Sequence, residues 1–190
     1  MRAIADHAHA NGMAVHMDGA RLWNAAAALG VPFAAFTRDA GVDVLSLGGT
    51  KNGLLGAEAI VVLDPDRVDG LHFLRKLNMQ LASKMRFASA QLLALFEDGL
   101  GLRTAAHANA MAARLRAGLE DVEGVGFSHP TQANAVFAEL DLDAADRVRE
   151  RYRFYDWDRA NRQVRWMCAF DTTEADVDDF VATVRAALHP

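Results

Sequence analysis

The chain has 190 residues, of which 52% are hydrophobic, and its 25 acidic and 20 basic residues give a formal net charge of −5. These charges are spread along the chain without long runs, which argues against nucleic acid as the main partner. The single cysteine, Cys168, excludes an internal disulfide, and no apolar run approaches the roughly 18 residues that indicate a membrane span. The chain begins without the pattern of a signal peptide, so we expect a cytoplasmic protein with no membrane partner.

Predicted helices and short apolar strands alternate in the first part of the chain. Helical spacing closed by a glycine predicts helices over residues 2–11 and 21–29, and Pro32 opens a short helix that extends to about residue 39. Apolar runs predict three strands, at residues 13–17, 42–47 and 57–63. The connection between the last two is too short for a crossover helix, so this pair is predicted to be antiparallel.

The second half of the chain is predicted to be helical first and mixed afterwards. Alanine and leucine at helical spacing predict helices from residue 66 to about 120, with a break at residues 99–101. After Gly124 the apolar period changes, and short strands alternate with helices. The predicted strands are residues 125–128, 134–140 and 164–169, and the predicted helices are residues 143–151 and 174–187. This alternation indicates a small α+β unit.

Two polar motifs follow two of the predicted strands. Lys51 lies in the glycine-rich segment 46–53, Ser-Leu-Gly-Gly-Thr-Lys-Asn-Gly, and Asp18 begins the segment Asp-Gly-Ala-Arg. Ligands collect at the carboxyl ends of parallel strands, where this amine and this carboxylate would lie side by side. Pyridoxal phosphate needs a lysine to hold its aldehyde as a Schiff base and a carboxylate to keep its ring nitrogen protonated. The two motifs together therefore predict a pyridoxal-phosphate site.

Simpler interpretations of the two motifs remain open at this point. Lys51 also fits a surface lysine in a glycine turn, and Asp18 also fits the N-cap of the helix that follows it. A phosphate-binding P-loop is excluded, because it needs Gly-Lys followed by Ser or Thr. In this chain Thr50 precedes the lysine and Asn52 follows it.

The motifs lie in segments that resemble the threonine aldolases, which belong to the beta-eliminating lyase group of pyridoxal-phosphate enzymes. The resemblance covers most of the chain and is carried by residues 16–24, 48–53, 81–87, 106–111 and 164–168. It implies an α/β fold of the PLP-dependent transferase type, fold type I. The expected parts are a partial large domain with a mostly parallel sheet and a small α+β C-terminal domain.

The resemblance also implies where the domains begin and end. Residues 1–98 correspond to the second half of the cofactor-binding large domain, 99–123 to a connecting helix and 124–190 to the small domain. The chain then represents the C-terminal half of such an enzyme. Intact members are expected to be homodimers or homotetramers that act on a small amino acid.

Four site residues are implied by the resemblance. Lys51 forms the Schiff base, and Asp18 pairs with the ring nitrogen of pyridoxal phosphate. Arg21 lies beside the cofactor and helps to hold the substrate's carboxylate, and Arg165 is the main carboxylate clamp, since a guanidinium pairs bidentately with carboxylates. The implied reaction is retro-aldol cleavage of threonine or allo-threonine to glycine and an aldehyde.

Three alternatives qualify this interpretation. The same cofactor site also supports β-elimination from amino acids or their racemisation, because the orientation of the substrate selects the bond that breaks. A non-catalytic fragment, in which Lys51 never forms a Schiff base, is a second alternative, and Arg165 alone also fits a solvent-facing strand arginine. A metal site at His7 and His9 is not expected, since residues two apart on a helix point to opposite sides.

Overall fold

The computed structural model describes residues 1–188 and divides the chain into two compact units. The first unit is Met1–Arg103, and the second begins at Thr104. The division falls within a long helix, Leu100–Leu119, so the segment predicted as the connection begins in one unit and ends in the other. Within residues 1–188 there is no helix that is both long enough and apolar enough to cross a membrane.

The first unit is built around a three-stranded sheet. Its elements in chain order are α1 (Arg2–Ala10), β1 (His16–Gly19), α2 (Leu22–Leu29), α3 (Phe33–Phe36), β2 (Val44–Gly48), β3 (Glu58–Val62), α4 (Leu71–Leu77), α5 (Met85–Phe96) and the start of α6 (Leu100–Leu119). Short 3-10 turns lie at Arg38–Ala40, Thr50–Asn52 and Glu97–Gly99. β1 pairs with β2 in parallel and β2 pairs with β3 antiparallel, which confirms the predicted direction of β3.

The first strand begins later than the sequence predicts. The prediction places it at residues 13–17, but β1 is His16–Gly19 and includes Asp18 instead of ending before it. The ladder starts where His16 pairs with Val44, the first residue of β2. An apolar run does not determine where the neighbouring strand begins to offer partners, and this explains the displaced boundary.

Trp23 ties α2 to the end of β2. Its side chain is 2% exposed, and its indole N–H donates to the carbonyl oxygen of Gly48 at 3.0 Å. The ring also packs against Phe33 and Phe96, with a centroid separation of 4.9 Å in each case. The burial of this large side chain therefore fixes the carboxyl end of β2 against the first helix that follows β1.

The helical region after β3 is interrupted more often than the sequence predicts. The predicted break at residues 99–101 lies two residues earlier, at Glu97–Gly99, and a second break, at residues 78–84, separates α4 from α5. Met79 and Asp98 adopt positive φ angles of 57° and 49°, which are incompatible with an α-helix. Residues 78–84 contain neither proline nor glycine, and the end of α4 is marked only by Asn78, whose Nδ2 donates to the carbonyl oxygen of Leu74 at 2.8 Å.

The second unit packs helices against one face of an antiparallel sheet with the strand order β4-β5-β7-β6. Its elements are the remainder of α6, β4 (Gly126–Phe127), β5 (Ala135–Glu139), α7 (Leu142–Arg149), β6 (Tyr155–Asp158), β7 (Gln163–Met167) and α8 (Glu174–Leu188). Val136 and Ala138 of β5 and Val164 and Trp166 of β7 are buried with residues of α6, α7 and α8 in one core. We call the opposite side of this sheet the outer face.

The three strands predicted for the second unit are confirmed as β4, β5 and β7. The fourth strand, β6, is missing from the sequence prediction. β6 is an edge strand that pairs with β7, and its register is irregular between Asp156 and Asp158. Its sequence, Tyr-Asp-Trp-Asp, has acidic residues at alternate positions and no apolar run. An edge strand needs only one paired side, so it folds without the apolar signal that marks a central strand.

A buried carboxylate anchors the amino end of β2. Asp43 is 2% exposed, accepts a hydrogen bond from the N–H of Val15 at 2.6 Å, and lies 2.9 Å from Nε2 of His9 and 3.7 Å from Nε of Arg67. Burial raises the pKa of Asp43, but the hydrogen bonds and the charges of His9 and Arg67 outweigh burial and lower this pKa below its ordinary value of 3.8.

The Asp43 anchor is expected to make the first unit sensitive to acid. A carboxylate with a pKa lowered by folding contributes stability above its unfolded pKa, and the contribution is lost as the pH falls through the folded value. Asp43→Asn should lower the free energy of unfolding at neutral pH by about 1–3 kcal/mol, because buried donors lose an ionised acceptor. It should also reduce the loss of stability below about pH 4. Urea denaturation across this pH range measures both effects.

Asp39→Asn is the matched control, because Asp39 is half exposed and pairs with the exposed Arg38. An exposed pair of this kind contributes little, so this variant should unfold at nearly the same urea concentration as the unmodified protein. Equal losses in the two variants would contradict the assigned role of Asp43.

Candidate active site

The carboxyl edge of the first sheet carries Asp18, Arg21 and Lys51. Asp18 lies near the end of β1, opposite Ser46 of β2, and Lys51 follows β2 in the turn Thr50–Asn52. Because β1 and β2 run parallel, these groups lie at the carboxyl edge, where ligands bind in α/β folds. Arg21 is the N-cap of α2, so it precedes the helix instead of forming its first turn, and its Nε is shielded from solvent.

Two glycines allow the backbone at this edge to approach closely. A Cβ atom on Gly48 would lie 2.7 Å from the Cα of Ala20, and one on Gly49 would lie 2.5 Å from the carbonyl oxygen of Ala57. Both contacts are repulsive, and because the opposing atoms belong to the backbone, they cannot move aside by a side-chain rotation. Both glycines are buried, so the close packing of the end of β2 against the backbone of Ala20 and Ala57 requires glycine at these two positions.

The turn that carries Lys51 is held on both sides, although Lys51 itself is exposed. The N–H of Thr50 donates to Oε1 of Glu58 at 3.2 Å. Asn52 is 2% exposed and donates from Nδ2 to the carbonyl oxygen of Gly101 at 2.9 Å. The amine of Lys51 thus extends into solvent from a fixed turn, an arrangement that suits a nucleophile for an aldehyde.

The backbone orients the carboxylate of Asp18. Its Oδ1 accepts the N–H of Ala20 at 2.9 Å, and α2 begins only at Leu22. Asp18 therefore closes the turn before the helix instead of capping the helix's first turn. A carboxylate held in this way presents negative charge at the edge, where it can stabilise a protonated ring nitrogen.

A side-chain hydrogen bond joins β1 to β2 next to Asp18. His16 lies on the same face of β1 as Asp18, and its Nε2 is 2.8 Å from Oγ of Ser46 on β2. Their spacing of two residues places His16 and Asp18 on one strand face, but the contact with Ser46 depends on the strand register. No local signal in the sequence sets that register.

Arg165 belongs to the second unit and lies on the outer face of its sheet. It stands on β7 opposite Phe137 of β5 and Tyr155 of β6. Its guanidinium carbon lies 5.0 Å from the centroid of the Trp157 ring, within the range of a cation–π contact. Its Nε is shielded from solvent and has no hydrogen-bond partner within residues 1–188.

The charge of Arg165 is paired differently from that of other arginines that lie over aromatic rings in this unit. These others are Arg116, Arg149 and Arg151, and each also forms an ion pair with a carboxylate. Among the described residues no carboxylate pairs with Arg165. The guanidinium is therefore fixed by a ring while its charge remains available to a ligand, which argues against a simple solvent-facing strand arginine.

Solved structures define the class of fold. A threonine aldolase from Leishmania major superposes with a TM-score of 0.84 at 26% identity, over 96% of this chain and 54% of that chain. A sphingosine-1-phosphate lyase from Burkholderia pseudomallei superposes with a TM-score of 0.72 at 18% identity, over 98% of this chain and 48% of that chain, and shows the fold alone. The chain has part of the fold of the fold type I pyridoxal-phosphate enzymes, as the sequence predicts.

Sequence comparison identifies the family within this class. The Beta-eliminating lyase family matches residues 1–142, and the chain belongs to this family. Two curated relatives, the low specificity L-threonine aldolases of Pseudomonas sp. (strain NCIMB 10558) and Pseudomonas aeruginosa, are 41% and 39% identical over 189 residues. The alignments cover 99% of this chain and 54% of each relative, so the chain spans about half their length.

The family depends on pyridoxal phosphate, and the residues at the carboxyl edge fit this cofactor. Lys51 supplies a primary amine, and Asp18 supplies a carboxylate on the neighbouring strand. Gly48 and Gly49 allow the end of β2 to pack closely against the backbone of Ala20 and Ala57. Lys51 and Asp18 are the groups that the cofactor's aldehyde and ring nitrogen require.

The close packing at Gly48 is expected to be essential for holding the cofactor. Gly48→Ala would force β2 away from Ala20 and displace the turn that carries Lys51. We expect this variant to lose most of the pyridoxal phosphate that borohydride reduction attaches to the native protein. Mass spectrometry of the reduced protein measures the attached fraction.

Gly56→Ala is the control for this prediction. Gly56 lies in the connection between β2 and β3, and a Cβ atom there would meet nothing within 4 Å. This variant should attach as much cofactor as the native protein. Full attachment in Gly48→Ala would show that the close approach of the strands does not matter for the site.

Proposed function

We propose that the protein containing this chain cleaves β-hydroxy-α-amino acids, with threonine or allo-threonine giving glycine and an aldehyde. The observation that carries the proposal is the parallel pairing of β1 with β2, which places Asp18 and Lys51 at one sheet edge. The identity of 39–41% to two threonine aldolases supports this reaction among those that the cofactor allows. The protein is accordingly a lyase that uses pyridoxal phosphate.

Pyridoxal phosphate, when bound, accepts the electron pair that is left on the substrate's Cα when the bond to Cβ breaks. Lys51 is the proposed residue that holds the cofactor's aldehyde carbon covalently. Asp18, oriented by the N–H of Ala20, keeps a proton on the ring nitrogen and so maintains the positive charge on the ring. The fixed turn Thr50–Asn52 determines where the amine of Lys51 lies.

Arg21 and Arg165 are the proposed substrate-binding residues, and Arg21 also lies beside the cofactor. Each carries a guanidinium with its Nε shielded from solvent, and a planar guanidinium can bind both oxygens of a carboxylate. A carboxylate fixed in this way sets the rotation of the substrate about its Cα. That rotation determines which bond at Cα is aligned to break, so these residues act on specificity as well as on affinity.

We further propose that the intact protein is a cytoplasmic homodimer or homotetramer. The support comes from α4 and the turn after it, where large apolar side chains face solvent. Phe73 is 71% exposed, Leu77 is 77% exposed and Met79 is 89% exposed. Such a concentration of apolar surface is typical of an interface and is unfavourable in water.

The products distinguish the aldolase from the second candidate, a β-eliminating lyase, which the family match over residues 1–142 favours. The purified native protein with pyridoxal phosphate should release glycine and acetaldehyde from threonine. It should release little pyruvate or ammonia from serine. Lys51→Ala should reduce glycine release to the background rate, whereas Arg38→Ala, at an exposed ion pair with Asp39, should leave it unchanged. Ammonia without glycine would overturn the aldolase in favour of elimination, and absence of both would favour a non-catalytic fragment.

Asp18→Asn is expected to separate cofactor binding from catalysis. The amide oxygen can still accept the N–H of Ala20, so the turn should persist, but the negative charge beside the ring nitrogen is lost. The rate constant kcat should fall by on the order of 100-fold or more, comparable to the loss of a group that controls a proton. The amount of borohydride-attached cofactor should change by less than about twofold, since Lys51 is intact. Steady-state kinetics and mass spectrometry measure the two quantities, and an unchanged kcat would contradict the role of Asp18.

A further inference from the structure

The outer face of the second sheet holds an aromatic support for Arg165. Trp157 is 51% exposed and lies 5.0 Å from the guanidinium carbon of Arg165. Trp157 in turn contacts Phe137 edge to face, with ring centroids 5.1 Å apart and an interplanar angle of 67°. A half-exposed tryptophan on an edge strand contributes little to a core, so its position calls for another explanation.

Hydrogen bonds fix the residues on both sides of Trp157. Asp156 accepts a hydrogen bond from Nη1 of Arg159 at 2.8 Å and also pairs with Arg149. Asp158 accepts two hydrogen bonds from Asn161, from its N–H at 3.2 Å and from Nδ2 at 2.7 Å. These bonds fix the strand at its irregular point, and the indole therefore projects from a rigid segment onto the outer face.

The register explains why Trp157 and Arg165 meet. Tyr155 is the regular partner of Arg165, and the irregularity between Asp156 and Asp158 shifts the pairing along β6. The indole of Trp157 consequently lies over the guanidinium, whose shielded Nε has no acceptor within the described residues. An aromatic face holds a guanidinium without using its N–H donors, so the donors remain available.

We propose that Trp157 is the positioning residue that presents Arg165 to the carboxylate of an amino acid. Held over the indole, the guanidinium loses little further rotational freedom when a ligand binds, and this strengthens binding. The inference deepens the proposed function, since it rests on Arg165 as a carboxylate-binding residue. Trp157 does not itself touch the ligand.

Glycine binding to the cofactor-loaded native protein tests the inference without catalysis. Isothermal titration calorimetry should show Trp157→Leu weakening the affinity for glycine by about 3- to 30-fold, the range that a cation–π contact supplies. Trp157→Phe retains an aromatic face and should bind within about threefold of the native protein. Tyr155→Leu is the matched control on the same strand, because Tyr155 is 75% exposed and should leave the affinity unchanged.

A double-mutant cycle shows whether Trp157 acts through Arg165. Arg165→Ala should weaken glycine binding strongly, and adding Trp157→Leu to it should have no further effect. A separate structural readout is the NMR signal of the Arg165 Nε–H, which the indole should shift upfield. Trp157→Leu should return this signal to the position of an ordinary arginine, and Trp157→Phe should retain part of the shift.

The outcomes separate the inference from the proposed function. Equal glycine affinity in Trp157→Leu and the native protein would overturn the inference, as would a Trp157→Leu effect that persists without Arg165. Trp157-dependent glycine binding without cleavage of threonine would overturn the proposed function and leave the inference intact. A native protein that binds no glycine would overturn both.

Discussion

Parallel pairing of β1 with β2 places Asp18 opposite Ser46, and the geometry of the first unit depends on this register. A shift by one residue would turn Asp18 to the buried side of the sheet, because side chains alternate between the two faces. Both ends of β2 are fixed against such a shift. Asp43 bonds the backbone before β1 at one end, and the carbonyl of Gly48 accepts the indole N–H of Trp23 at the other.

Some of this arrangement can be predicted from the sequence and some cannot. The motifs around Asp18 and Lys51 indicate the strand exits, since glycine and aspartate follow apolar runs there and the turn chemistry is local. The strand β6 escapes prediction because its pairing with β7 forms it and no apolar run marks it. The break at residues 78–84 escapes prediction because it lacks proline and glycine, the strongest turn signals. The position of Trp157 beside Arg165 likewise depends on an irregular register in β6. Local propensity carries no information on such a register.

The two units differ in how completely they bury their apolar side chains. In the second unit, alternate residues of β5 and β7 enter one core with three helices, so the sheet has a clearly closed side. In the first unit, α4 presents apolar side chains to solvent and β3 exposes Ile60, which is 65% accessible. Exposed apolar surfaces of this kind are unfavourable in water and are typical of interfaces.

Arg165 differs from the other ring-stacked arginines of the second unit in how its pairing would change when a carboxylate binds. Arg116, Arg149 and Arg151 already pair with carboxylates, so a ligand would have to replace an existing ion pair and gain only the difference. Arg165 has no such pair among the described residues, and its shielded Nε lacks an acceptor, which is unfavourable in the free protein. A carboxylate that binds there relieves this cost and adds charge-assisted hydrogen bonds. The indole of Trp157 holds the Arg165 side chain in place without accepting hydrogen bonds from its N–H groups, so these donors stay available to a carboxylate.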